Sequence, residues 1–126
     1  MLALKRFFFS VLLRLARSRV GGTLLRWSFV HMNRLLPINR IYESEQVVAF
    51  AHPQPAYRFH FLILPKRDSL SLMTLSGQEA DLLLDVIRAA QEIVRKNHLQ
   101  EMGYRLVVNG GPNQQGPILH FHLIAD

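Results

Sequence analysis

The sequence contains no cysteine, which excludes disulfides, thiolate metal sites and a cysteine nucleophile, and fits a reducing compartment such as the cytoplasm. Its first 40 residues hold no acidic side chain, and eight lysines and arginines give that stretch a charge of +8. The rest of the chain carries −2, so the overall +6 belongs to one end rather than to a basic surface spread over the molecule. Glycine and proline are absent from the first 17 residues. A membrane-length apolar run is missing there too: the longest uncharged stretch, Phe7 to Leu13, falls far short of the roughly 20 residues a spanning helix needs, and Arg14 interrupts any longer signal-type core. What the chain does have is apolar material, 49% of 126 residues, enough to bury the core of one domain.

The pattern divides near Pro37. Before it, Arg6, Ser10, Arg14 and Arg17 recur at helical spacing as a narrow polar stripe. Gly21-Gly22 breaks that helix, Thr23 offers a cap for a second one through Leu36, and Pro37 ends it. Residues 1–36 therefore read as a basic, apolar helical arm. Residues 37–126 read as a domain of short strands. Arg40 to Glu43 and Gln46 to Ala51, separated by Ser44-Glu45, form a hairpin. Tyr57 to Leu64 is a nearly continuous apolar run suited to a central strand, stopped by Pro65. Ser76 and Glu79 make a capping-box pair ahead of Leu83, Val86, Ile87, Ala90 and Val94, which predicts a long helix ending near Asn97. Tyr104 to Asn109 and Ile118 to Ala125 are two further strands around a loop, Gly110 to Pro117. The expected fold is α+β: an antiparallel sheet of about five strands with one long helix, preceded by two N-terminal helices.

Histidines carry the chemistry. In a strand alternate side chains share a face, so His120 and His122 point the same way, while Leu119, Phe121 and Leu123 pack the other face. His60 lies inside the second apolar strand. A single histidine of this kind is commonly a hydrogen-bonded core residue, but two on one buried face cost desolvation unless a site satisfies them. Zinc is one use, with His60 as a third ligand. No carboxylate or thiolate lies nearby in sequence to complete such a set, so a site without metal or other cofactor ranks ahead of it.

Four segments occur in the order and spacing of the histidine triad family. The string IYESEQVVAF (Ile41 to Phe50) resembles its opening hairpin, His60-Phe61-Leu62-Ile63-Leu64-Pro65-Lys66 its HFL strand, Gly103 to Asn109 its GYR strand, and Ile118 to Ile124 its H-x-H-x-H signature. The resemblance covers about residues 37 to 126 and implies a homodimeric nucleotide phosphoramidase or nucleotidyl hydrolase acting on a purine nucleotide or nucleoside phosphate. It implies that His122 attacks the α-phosphorus to give a covalent nucleotidyl-histidine, that His120 supports the network, and that His60 orients the nucleophile. Asn109 matches a residue near ribose and phosphate, Phe50 a wall of the base pocket, and His52 the position of a ribose-binding acid. The sequence also departs from the pattern. Ile124 replaces the third signature histidine and Gly116-Pro117 replaces polar groups, so neither Ile124 nor the Pro117 nitrogen can donate to phosphate. The loop residues Asn113, Gln114 and Gln115 are the substitutes on offer, in a stretch whose composition equally suits a plain turn. A catalytically weakened nucleotide-binding or membrane-surface protein is the alternative reading.

The arm has two readings of equal standing. Its apolar face and basic stripe suit the surface of an anionic membrane, which would make a cytoplasmic protein peripherally membrane-associated. The same face suits packing on the domain or across a dimer. Nucleic acid ranks third, because so apolar a helix would expose a large hydrophobic patch if its only partner were phosphate.

Overall fold

The computed structural model describes residues 3, 4, 6, 7, 39–67, 71–114 and 118–126. Its core is a five-stranded antiparallel sheet with one long helix. The strands are β1 (Arg40–Glu43), β2 (Val47–Ala51), β3 (Phe59–Pro65), β4 (Arg105–Val108) and β5 (Phe121–Ala125), in the order β1-β2-β3-β5-β4. Helix α1 spans Ala80–Lys96 and a single turn, α2, spans Leu99–Met102. This is the α+β arrangement the sequence patterning predicts. The two expected arm helices lie outside the described residues, apart from four positions. Ala3, Leu4, Arg6 and Phe7 are helical, and Arg6 Nε donates to the carbonyl of Pro53 at 3.0 Å.

Three local devices set the frame. The predicted capping box is present: Ser76 N–H and Oγ–H both donate to Glu79 Oε2 at 2.8 Å. Those donations hold the Glu79 carboxyl below its ordinary range, so the box works best with the carboxylate ionised. One short 3₁₀ turn, Gly77–Glu79, follows Ser76 before α1 begins. At the other end His98 takes a left-handed conformation (φ 54°) and Gly103 another positive φ (91°), reversing the chain through α2 into β4. The β1–β2 turn is fastened to the end of β3 by Lys66, whose Nζ donates to the Ser44 carbonyl at 2.7 Å and pairs with Glu43 at 2.9 Å.

Pleating then gives the sheet two unlike faces. Val47, Ala49, Ile63, Phe121, Leu123 and Ala125 turn toward α1 and join its Leu82, Val86, Ala89 and Ile93 in the main core. These helix residues recur every three or four positions, so one stripe of α1 meets the sheet. Asp85 lies on the same helix, only 6% exposed, and accepts from Tyr42 Oη at 2.6 Å and from Ser44 Oγ. That hydrogen bond, with burial and the Asp85 charge, pushes the Tyr42 phenol up to about 12. On the opposite face Val48, Phe50, Leu62 and Ile118 form a second, smaller cluster, and the histidines share it.

Candidate functional site

The strand register builds the site. Past the Ala51–Phe61 pair, the His52 N–H donates to the His60 carbonyl at 2.8 Å, and His60 pairs with Ile124, with Arg105 beyond it. The next row of that face reads Phe50, Leu62, His122 and Val107. One row further, Leu64 and Asn109 flank the level of His120. His120 itself lies just before β5, held because its Nδ1–H donates to the Ile118 carbonyl at 2.9 Å.

His60 and His122 are diagonal neighbours on adjacent strands, and their rings meet: His60 Nε2 and His122 Nδ1 are 2.9 Å apart. Behind His60, the backbone N–H of Ala56 donates to its Nδ1 at 3.1 Å. The Tyr57 ring stands edge-on to His60, with centroids 5.6 Å apart. The rings of His120 and His122 are 5.0 Å apart. His52 completes a cluster of four imidazoles, 4.3 Å from His60 and 6.3 Å from His122 between ring centroids, and its Nδ1 accepts from the Gln54 N–H at 3.0 Å.

Burial sets the charge of this cluster. It pushes His122 down to about 4, with the adjacent His120 and His60 adding to the effect. His52 is likewise pushed down to about 4, by burial first and by His60, His122 and His120 after it. Burial lowers His60 as well. At neutral pH these three rings are therefore uncharged, each carrying one N–H and one lone pair. One nitrogen stands out. His122 Nε2 is buried and has no hydrogen-bond partner among the described residues. Leaving a buried polar nitrogen unpaired costs about 1–3 kcal/mol, which is the kind of cost a fold carries where a ligand supplies the missing partner. Chemically, such a nitrogen can donate to an anionic oxygen or attack an electron-poor centre, depending on where its proton sits.

The structure thus brings His60, His120 and His122 together on one face, with His52 beside them. The sequence placed His52 at a sugar-binding position; in the structure its ring lies against His60. The signal was present, because the Ala51–Phe61 pair makes His52 the next residue across from His60. The Ala56 amide had no side-chain signal at all. Phe50 is 3% exposed and packed with Val48 and Leu62, on the same face and two strands from His122. Asn109 is partly buried at the end of β4, level with His120. Ile124 is buried directly opposite His60, an aliphatic side chain in a row of imidazoles. Gln115 and Pro117 lie outside the described residues. Among the described residues no three of His, Cys, Asp and Glu are grouped to hold a metal ion. No described helix is long and apolar enough to cross a membrane.

With this geometry in hand, likeness to known proteins is specific. Residues 33–126 match the family described as HIT domain. An uncharacterized HIT-like protein of Helicobacter pylori is 30% identical over 92 residues, covering 71% of this chain and 86% of that one. A 14 kDa zinc-binding protein of Zea mays is 32% identical over 89 residues, 70% of each chain. Among solved structures, a HIT family hydrolase from Clostridium thermocellum superposes with a TM-score of 0.70 at 32% identity, over 79% of this chain and 86% of that chain. One from Legionella pneumophila gives 0.71 at 27% identity, over 77% and 89%.

Proposed function

Because the chain belongs to the HIT domain family, we propose that it is a nucleotide-phosphate binding protein and acts as a nucleotide phosphoramidase or nucleotidyl hydrolase through His122. The observation that supports this best is the unpartnered, buried His122 Nε2, on a ring fixed from behind by His60 at 2.9 Å. In the proposed reaction Nε2 bonds to the α-phosphorus as the bond to the leaving amine or phosphate breaks, and the leaving group takes up a proton from solvent, to which the water of the second step returns one. Water then attacks the nucleotidyl-histidine, the N–P bond breaks, and the free nucleotide departs. His60 positions the ring, and His120 supports the network from the next row. Asn109 and Gln115 are the proposed polar contacts to ribose and phosphate, and Phe50 the apolar wall of the base pocket.

A second reading is favoured by Ile124: a buried aliphatic group stands opposite His60 where the family's third histidine would supply a donor. Under it the protein binds nucleotide with little turnover. Purified protein incubated with adenosine phosphoramidate and with dinucleoside polyphosphates, beside His122→Ala, separates the two. Turnover lost in the variant supports the enzyme; retained nucleotide binding without turnover sinks it.

Two associations belong to the same proposal. β4 is an edge strand, and Tyr104 and Leu106 on or beside it are 49% and 37% exposed, which supports a homodimer that continues the sheet across that edge. A monomeric mass in light scattering at micromolar concentration would remove it. We treat residues 1–36 as an arm on a domain of 37–126 and propose an anionic membrane surface as the arm's partner; Leu4 and Phe7, each 68% exposed, support it. The Arg6 contact to Pro53 favours docking on the domain instead. Flotation with anionic liposomes, full chain against one starting near Pro37, tells them apart, since equal behaviour excludes the membrane.

A further inference from the structure

The hydrogen bonds around His122 carry information about its proton. A backbone N–H can only donate, so the Ala56 amide requires a lone pair on His60 Nδ1. An uncharged imidazole has one N–H, and for His60 it must then sit on Nε2. That N–H points at His122 Nδ1, 2.9 Å away, which must accept. With its Nδ1 lone pair engaged, an uncharged His122 carries its own proton on Nε2, the buried atom without a partner. We propose that His122 rests as the Nε2–H tautomer, so that the site meets a nucleotide's phosphate first as a hydrogen-bond donor, and that the Ala56 amide, acting through His60, is the positioning group that withholds the attacking lone pair.

The inference rests on the nucleotide-phosphate reading of the site and adds a control to it. Attack by Nε2 requires the other arrangement, with the proton on His122 Nδ1 and the His60 Nε2 lone pair receiving it. His60 then carries its proton on Nδ1, facing the Ala56 N–H. Two N–H groups cannot share that line, so the attack-ready state exists only when the Ala56–His60 hydrogen bond has opened. Each ring keeps one proton throughout; only the positions change. Burial supports the premise that both rings are uncharged near pH 7, since it lowers the affinity of His60 and His122 for a second proton. His120 has the opposite polarity in its uncharged form, with Nδ1–H donating to the Ile118 carbonyl and the lone pair on Nε2. Neighbouring imidazoles on one face are thus fixed in different tautomers by backbone groups of different segments.

The test reads the proton directly. Long-range proton–nitrogen correlation spectra of the ¹⁵N-histidine-labelled full chain near neutral pH should show a pyrrole-type Nε2 and a pyridine-type Nδ1 for His122, and the same pattern for His60. A pyrrole-type Nδ1 on His122 overturns the proposal, whatever the protein's substrate. Ala56→Pro removes the one donor, and should move His122 toward the Nδ1–H form while raising nucleotidyl transfer about two- to tenfold. If that variant folds and the His122 tautomer is unchanged, Ala56 is not the positioning group. If it does not fold, the wild-type spectrum still decides the tautomer. Should the expected tautomer be found in a protein that neither binds nor turns over adenosine phosphoramidate, the nucleotide reading fails and the tautomer assignment stands.

Discussion

The two faces of the sheet are made from alternate residues of the same strands, yet they obey different rules. Toward α1 the side chains are apolar and closely packed, with Leu123 and Ile63 fully buried. The carboxylate buried there, Asp85, accepts from two hydroxyls. On the far face the same strands and their ends place four imidazoles side by side, and His122 Nε2 is buried there without a partner among the described residues. Single-residue alternation therefore separates a packed apolar core from a cluster of imidazoles across the thickness of one strand. One face holds the backbone still, and the other uses that stillness to hold rings at hydrogen-bond distance.

The contrast is sharpest at adjacent residues of β5. Leu123→Ala should lower unfolding stability by about 2–5 kcal/mol in urea titrations while leaving nucleotide chemistry intact in the folded fraction. If it costs little, the helix-facing core is not what supports the sheet. Removing the Asp85 carboxylate should be next in size: Asp85→Ala leaves the Tyr42 and Ser44 hydroxyls without their acceptor and should cost about 1–3 kcal/mol. A spectrophotometric titration should show the Tyr42 phenol falling from about 12 toward its ordinary value of 10.0. An unmoved Tyr42 would mean that Asp85 is not its partner in solution.

A third way to break the comparison is acid. His52 and His122 sit near 4 in the folded protein against 6.5 for an ordinary imidazole. Between those values the unfolded chain binds more protons than the folded one, so stability falls as pH is lowered. The contribution is complete above the ordinary value and is lost as pH drops toward the folded one. Urea midpoints followed downward from neutral pH should decline in that window, and less steeply in a His52→Gln, His122→Gln variant. The smallest effect is expected from His122→Ala, which should change stability by no more than about 1 kcal/mol while abolishing any turnover. A loss matching that of Leu123→Ala would mean that the histidine face is structural after all.

Much of this was legible before any coordinates. The nearly continuous apolar run from Tyr57 to Leu64 and the run from Ile118 to Ala125 predicted strands that the structure has at Phe59–Pro65 and Phe121–Ala125, and Ser76 with Glu79 gave the start of the helix region. Strand ends were less legible: the expected strand from Ile118 begins at Phe121, because Ile118 and Leu119, both buried and in opposite clusters, have no ladder partner. Hydrophobic alternation reports which way a residue faces, and pairing also needs a neighbour. His60, His120 and His122 could be grouped from their strands and from resemblance, while the placement of His52 needed the register of the β2–β3 pair. The Ala56 amide was invisible because every residue but proline has one. Asp85 left a trace, as an acidic residue within an apolar stripe, but its hydroxyl partners come from β1 and from the turn after it, more than 40 residues earlier.

The loop between β2 and β3 ties these observations together. In one short stretch the Pro53 carbonyl receives Arg6, the Gln54 amide holds His52, and the Ala56 amide holds His60. Prolines at 53 and 55 fix two of its backbone torsions, so the stretch has few ways to bend between these contacts. The contact to Arg6 and the amides that hold two of the four imidazoles are thus at most three residues apart on one constrained stretch of backbone.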